Sequence, residues 1–174
     1  MNFADWKVPT VSGLANGMDQ AVHDFSIRMG VPTIAVLGTG IHTEYPKGSN
    51  RLADMIVSEG GAVVTEYLPN DSYSGENFVR RNRLQAALGR VLIPIEWSLK
   101  SGTAHTVNYA SALSRPIAGL RVTDWPDGRV MLPRNSHLIS QIFTIPSDQD
   151  RFFKFVQKAL AEPLRTRELQ PSLI

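Results

Sequence analysis

A chain of 174 residues, 43% hydrophobic and 20% charged, has the size and balance of one compact globular domain. It has no cysteine, which excludes disulfides, thiolate catalysis and cysteine-ligated zinc and fits a cytoplasmic protein; no apolar run is long enough to cross a bilayer, so no membrane partner is expected. A net charge of +2 permits a polyanionic partner without demanding one, so the placement of the charges has to decide.

The first ten residues mix apolar positions with Asp5 and Lys7 and do not read as a secretory leader. Residues 7–11 predict a strand ending at Ser12-Gly13. Ala15, Met18, Val22, Phe25 and Met29 recur at spacings of three and four, which predicts a helix over 14–29. A strand over 32–37 ends in Gly38-Thr39-Gly40. The helix predicted over 50–58 carries Leu52, Met55 and Ile56 on one face and stops at Gly60-Gly61. A strand over 62–66 and a helix over 76–88, stopped by Gly89, come next. Residues 91–95 are continuously apolar, the pattern of a strand buried on both faces of a parallel sheet. A helix over 103–114 and a strand over 116–122 follow. Asp124-Trp125-Pro126-Asp127-Gly128 reads as a turn before a short strand over 129–132. The last strand is expected over 140–145. Ser147 then reads as the N-cap of a helix over 148–161, with Phe152, Phe153, Phe155, Val156 and Leu160 on its buried side. Strands alternating with helices predict an α/β domain with an open, mostly parallel sheet covered by helices. The domain is expected over residues 1–162, with a frayed tail over 163–174.

In such a sheet, ligands bind outside the carboxyl ends of the strands. Three predicted strand ends carry small residues there: Ser12-Gly13-Leu14-Ala15-Asn16-Gly17, then Gly38-Thr39-Gly40, then Glu96 leading to Lys100-Ser101-Gly102-Thr103. The first and third also open helices, whose free N–H groups and dipole favour an anion. One such turn is equally well plain turn chemistry, whereas three on one sheet edge point to an anion or a nucleotide-like ligand. The glycine spacings of ATPases and of dinucleotide-binding folds are absent.

Phe78-Val79-Arg80-Arg81-Asn82-Arg83 is the second feature. Its three arginines lie in the first turns of a helix, where a cation opposes the dipole at a cost of about 0.3 kcal/mol or more. An anionic partner would offset that cost; a solvated basic face, or ion pairs to Glu76 and Asp71, would explain the same residues. Phe78, Leu84, Ala87 and Leu88 are placed to face the core. His23 falls near the apolar side of the first helix and reads as a hydrogen-bonded packing residue; Asp19, four residues earlier, can pair with it on one helical face. His42, His105 and His137 have no metal-ligand spacing, so no metal site and no cofactor are expected. Tyr45-Pro46 reads as a turn whose ring can line the cleft, and Trp97 either caps the core or stacks on a base.

These blocks together resemble the DprA/Smf (DNA-processing protein A) family. Ser12-Gly13-Leu14-Ala15-Asn16-Gly17-Met18-Asp19 with His23 is similar to its Ser-Gly-x-Ala-x-Gly-Ile-Asp and Ala-His. Thr33 to Gly40 with Tyr45-Pro46 and Asn50, then Thr65-Glu66-Tyr67, resemble its next two blocks. The arginine block resembles Phe-Pro-x-Arg-Asn-Arg, and Lys100-Ser101-Gly102-Thr103 with Thr106, Ala110 and Arg115-Pro116 resembles its Ser-Gly-Ser block. Residues 135–139 are similar to a later Asn-x-Leu-Ile. The resemblance implies a single Rossmann-like domain with helices on both sheet faces. It also implies a protein that binds single-stranded DNA, forms a homodimer, and helps load a recombinase during natural transformation. By matching position, the phosphate contacts would be Ser12, Gly13 and Lys100 to Thr103, with Arg81 and Arg83; Gly38, Thr39, Gly40, Arg80 and Asn82 complete the candidate site.

The sequence departs from the family pattern in places. The matched blocks begin after the family's first strand with its Gly-Ser-Arg loop, and a C-terminal winged helix is not expected. Val79 replaces the usual proline, His42 an aspartate, and Gly119-Leu120-Arg121 the usual Val-Pro-Gly. Two other readings use the same loops. A sensor of nucleotide derivatives would need no catalytic base. A phosphoribohydrolase of the lysine-decarboxylase-like proteins would need a glutamate where Thr106 falls, and a threonine is a poor general base, so no catalytic residue is assigned.

Overall fold

The computed structural model describes residues 8–95, 97–98, 100–123 and 141–163. The turn at 124–128, the strand expected over 129–132, Glu96, His137, the 135–139 motif and nearly all of the expected tail lie outside the described residues. The chain divides into two compact units, Met1–Gln85 and Ala86–Ile174.

The first unit holds β1 (Thr10–Ser12), α1 (Met18–Arg28), β2 (Thr33–Val36), α2 (Asn50–Ser58) and β3 (Ala62–Val64). It also holds most of α3 (Gly75–Leu88), whose last residues belong to the second unit. The strands are short and largely β-branched, as a pleated, half-buried surface favours. They form one parallel sheet in the order β1-β2-β3, with Val11 opposite Ile34 and Ala35 opposite Val63. Helices α1 and α2 pack on each other and on the sheet, around a core of Leu14, Ala35, Leu37 and Ile56. Each ends at a glycine in the left-handed region, Gly30 (φ 65°) and Gly60 (φ 81°), where a side chain would be strained.

Helix α1 starts at Met18, four residues later than expected. Leu14 is drawn into the core, and the residues between it and Met18 form a loop. The apolar spacing of α1 does not mark its buried side. His23 and Ser26 are buried, whereas Met18, Phe25 and Met29 are exposed, because the polar pair is bonded into the sheet's end. On α3, Arg81 and Asn82 are buried and Ala87 and Leu88 are exposed, the reverse of the expected placement.

The second unit holds α4 (Gly102–Ala112), β4 (Ala118–Val122), β5 (Gln141–Ile145) and α5 (Gln149–Ala161). Strands β4 and β5 pair in parallel, from Ala118 opposite Gln141 to Val122 opposite Ile145. The strand expected over 91–95 is reduced to one parallel bridge, Leu92 to Ile117. The Leu92 amide donates to the Pro116 carbonyl at 2.9 Å, and the Ala118 amide donates to the Leu92 carbonyl at 2.9 Å. Ala86, Trp97, Ala104, Val107, Ala110 and Ile117 make one core cluster, so Trp97 caps the core. Phe143 on β5 is fully buried, with the rings of Phe152 and Phe155 of α5 at 5.5 and 5.4 Å. The residue flanking α5 is Asp148, not Ser147: its carboxylate accepts from the Thr144 amide at 2.9 Å and from Arg151 at 2.7 Å, and holds the turn. All described strand pairings are parallel, as expected. No helix among the described residues is long and apolar enough to cross a membrane.

Candidate functional site

The loop after β1 is fastened from two helices. The Ser12 hydroxyl donates to the Asp19 carboxylate at 2.6 Å, and the Ala15 amide to the other Asp19 oxygen at 3.3 Å. His23 Nε2 donates to the Gly13 carbonyl, so in the neutral ring Nδ1 accepts from the Thr33 hydroxyl at 2.7 Å. Thr33 is bonded to Thr10 at 2.7 Å, and Thr10 to Ser26 at 2.8 Å, which closes a largely buried polar chain beneath the loop. Burial pushes the His23 ring below its ordinary 6.5, against the opposing pull of the Gly13 carbonyl and Asp19. Asp19 and His23 do share a helical face, but each of them bonds the loop.

Arg81 reaches the same loop from α3. Its Nη1 donates to the Val36 carbonyl at the end of β2. A Cβ added at Gly13 would collide with Arg81 Nη1 and with an Asp19 oxygen. Gly13 is therefore required by the protein's own packing. Burial lowers the Arg81 pKa and Asp19 counters it; the guanidinium stays charged, with the Asp19 carboxylate nearby.

The loop after β2 leaves the sheet beside the first, since β1 and β2 are parallel neighbours. Gly38, Thr39 and Gly40 are all buried. The Phe78 ring fills the space a Cβ would take at Gly38, and the Leu68 and Pro69 carbonyls fill it at Gly40. The Gly40 amide donates to the Asp71 carbonyl at 2.9 Å, and the Thr39 carbonyl accepts from the Thr65 hydroxyl at 2.6 Å.

The arginine block is divided by its helix. Arg80 is exposed and Arg81 turns inward. Asn82 is buried, and Arg83, with its side chain 29% exposed, forms an ion pair with Glu66. The pairing considered for Asp71 is not the one made: Asp71 caps its own turn, accepting from the Leu68 amide at 2.9 Å. Tyr67 donates to the Asn77 carbonyl at 3.1 Å; burial and then the charge of Glu66 raise its hydroxyl pKa, so it remains a donor at neutral pH.

Lys100, Ser101, Gly102 and Thr103 belong to the second unit. Lys100 and Gly102 are exposed. Ser101 is the N-cap of α4, but its hydroxyl donates back to the Ser98 carbonyl at 2.7 Å and accepts from the Ser98 amide at 3.2 Å, not from the helix amides. Thr106 is buried on the same helix.

Sequence reasoning missed Val36, whose carbonyl receives Arg81, and the chain of Thr10, Ser26 and Thr33. No side-chain pattern marks a backbone acceptor, but Arg81 sits three residues after Phe78, the spacing that shares a helix face.

Parallel strand pairing, glycine turns at strand ends and helices laid against the sheet define a Rossmann-like α/β protein. The fold is similar to that of DNA processing protein A from Streptococcus pneumoniae, with a TM-score of 0.66 and 31% identity, covering 82% of this chain and 50% of that one. It is also similar to DNA processing protein A from Helicobacter pylori, whose structure describes its single-stranded DNA binding mode. That TM-score is 0.71 at 22% identity, covering 89% of this chain and 69% of that one. The sequence profile of the DNA recombination-mediator protein A family matches residues 1–141, and the chain belongs to that family. Curated relatives include DNA processing protein DprA of Streptococcus pneumoniae, 39% identical over 107 residues, and protein Smf of Synechocystis, 38% identical over 110 residues. These alignments take in 62% and 63% of this chain but 38% and 27% of the relatives, so the chain spans about a third of their length.

Proposed function

We propose that this chain binds single-stranded DNA by its phosphates as a DNA-processing protein and does no chemistry on it. The observation that carries the reading is how a member of this family uses its arginine block: Arg81 is bonded inside the fold, while Arg80 is exposed and Arg83 stands partly open. Guanidinium forks match phosphate oxygens, and neither residue is needed to fill the core. Arg81 acts as a positioning residue for the Ser12-Gly13 loop and the end of β2. In the second unit Lys100 and the first turn of α4, from Ser101 to Thr103, supply a further phosphate contact. The similar protein from Helicobacter pylori is described as binding single-stranded DNA, which supports the same ligand class here.

A binder without catalysis accords with Thr106, which is buried and offers no carboxylate where the related hydrolases need one. By the family resemblance, the chain acts in the cytoplasm as a homodimer that delivers its strand to a recombinase during natural transformation; sedimentation at rising concentration checks the dimer.

Binding of labelled oligo-dT across a salt titration tests the main reading. With Arg83 held by Glu66, contacts from Arg80 and Lys100 give an expected log–log slope of about −1.4, and Arg80→Ala or Lys100→Ala each makes it shallower by about 0.7. A salt-independent affinity, or binding of a mononucleotide with none of the oligonucleotide, overturns the reading.

A further inference from the structure

Phe78 is half-buried and packs over Gly38. The Tyr45 ring lies 4.9 Å from the Phe78 ring, and the Tyr73 ring lies 4.5 Å from Tyr45, tilted by 32°. The stack thus runs outward from a fixed base: Tyr45 is 37% exposed and Tyr73 is 56% exposed. A ring that is more than half exposed contributes little to the core. Asn70, Ser72 and Ser74 are exposed beside Tyr73 in the chain, with Leu68 and Pro69 exposed in the turn before them.

A cation stands in one of the same segments. Lys47 is exposed two residues after Tyr45, whereas Arg80, two residues after Phe78 on α3, falls on a different face of that helix. Two of the nearby carboxylates are engaged by backbone: Glu44 accepts from the Gly48 and Asn50 amides at 2.9 and 3.3 Å, and Asp71 from the Leu68 amide. Glu76 lies in the first turn of α3, where it complements the helix dipole. Exposed aromatic rings with a cation close by in the chain suit a flexible single strand, whose bases stack while a phosphate meets the cation.

We propose that Tyr73, supported by Tyr45, is a nucleobase-stacking subsite on which one base of the single strand lies, with Lys47 meeting an adjoining phosphate. This rests on the single-stranded DNA reading above and adds to it a contact to the base. Two labelled probes of equal length test it on the full chain: oligo-dT and an abasic oligonucleotide with the same backbone. Wild type is expected to prefer oligo-dT. Tyr73→Ala should lose about five- to a hundredfold of oligo-dT affinity with little change for the abasic probe, and Tyr73→Phe should keep the preference. Tyr73→Leu retains apolar bulk without the ring and should lose oligo-dT affinity as the alanine variant does, which excludes misfolding as the cause. An unchanged preference in Tyr73→Ala and Tyr73→Leu, or equal losses on both probes, overturns the subsite while the DNA reading stands. Failure of wild type to bind either probe at low salt overturns the DNA reading and the subsite together.

Discussion

The loops that open α1 and α4 look alike in sequence, each with serine and glycine before a helix, yet one is enclosed and the other is open. Before α1, Arg81 and Asp19 occupy the space of a Gly13 side chain, Asp19 binds Ser12, and His23 binds the Gly13 carbonyl. Before α4, a Cβ at Gly102 would meet nothing within 4 Å, and the Ser101 hydroxyl turns back to Ser98. The same glycine-rich appearance therefore has two causes, crowding from within and lack of constraint. An enclosed loop presents amides whose positions the protein has already set. An open loop can adjust to a ligand, at the cost of ordering it then.

The largest expected effects break the enclosed loop. Arg81→Met removes a buried charged donor, leaving the Val36 carbonyl without it and Asp19 without its nearby cation; a stability loss of about 3 kcal/mol is expected. Gly13→Ala forces a methyl group against two charged groups and should cost about 2 kcal/mol. Gly102→Ala should change stability by less than about 0.5 kcal/mol, because its new side chain meets open space. Urea denaturation of the three variants measures the contrast, and equal losses at Gly13 and Gly102 would remove it.

His23 sharpens the same contrast through pH. Its folded pKa lies below 6.5 because burial disfavours the charged ring, so the unfolded chain binds the extra proton first as pH falls. The stabilisation from the neutral ring is complete above pH 6.5. It declines from there down to the folded pKa, by at most about 1.4 kcal/mol per pH unit. Stability measured from pH 8 to pH 5 should show that loss, and His23→Gln should flatten it. A slope that survives the substitution assigns the effect to other groups.

Much of the fold was legible because strand and helix periods differ and glycines mark the stops; α2 falls on its predicted residues. The strand over 91–95 was misread because an apolar run records burial and not pairing, and pairing here is a single bridge. The candidate site was legible as a set of residues but not as roles. Arg80, Arg81 and Arg83 have identical chemistry, and only the helix phase against β2 and Glu66 makes one internal, one paired and one exposed. Small residues at Gly13, Gly38 and Gly40 suggested room for a ligand, whereas Arg81 and Asp19, Phe78, and the Leu68 and Pro69 carbonyls fill that space.

The smallest expected effect concerns the arginine that lies between the enclosed and open extremes. Arg83 is paired with Glu66, and both side chains are under a third exposed. A phosphate that binds Arg83 must compete with that carboxylate. Glu66→Gln removes the competing charge and keeps the side chain's shape. Stability should fall by less than about 1 kcal/mol, as for a partly exposed ion pair. Affinity for oligo-dT should rise about two- to fivefold, the factor equivalent to a pair worth about 0.5–1 kcal/mol. The salt slope should become more negative by about 0.7 if Arg83 takes up a full phosphate contact. Tighter binding with an unchanged slope would mean that Glu66 acts only as a repelling charge, and no change in either would remove Arg83 from the interface and leave Arg80 as the cation its helix offers to DNA.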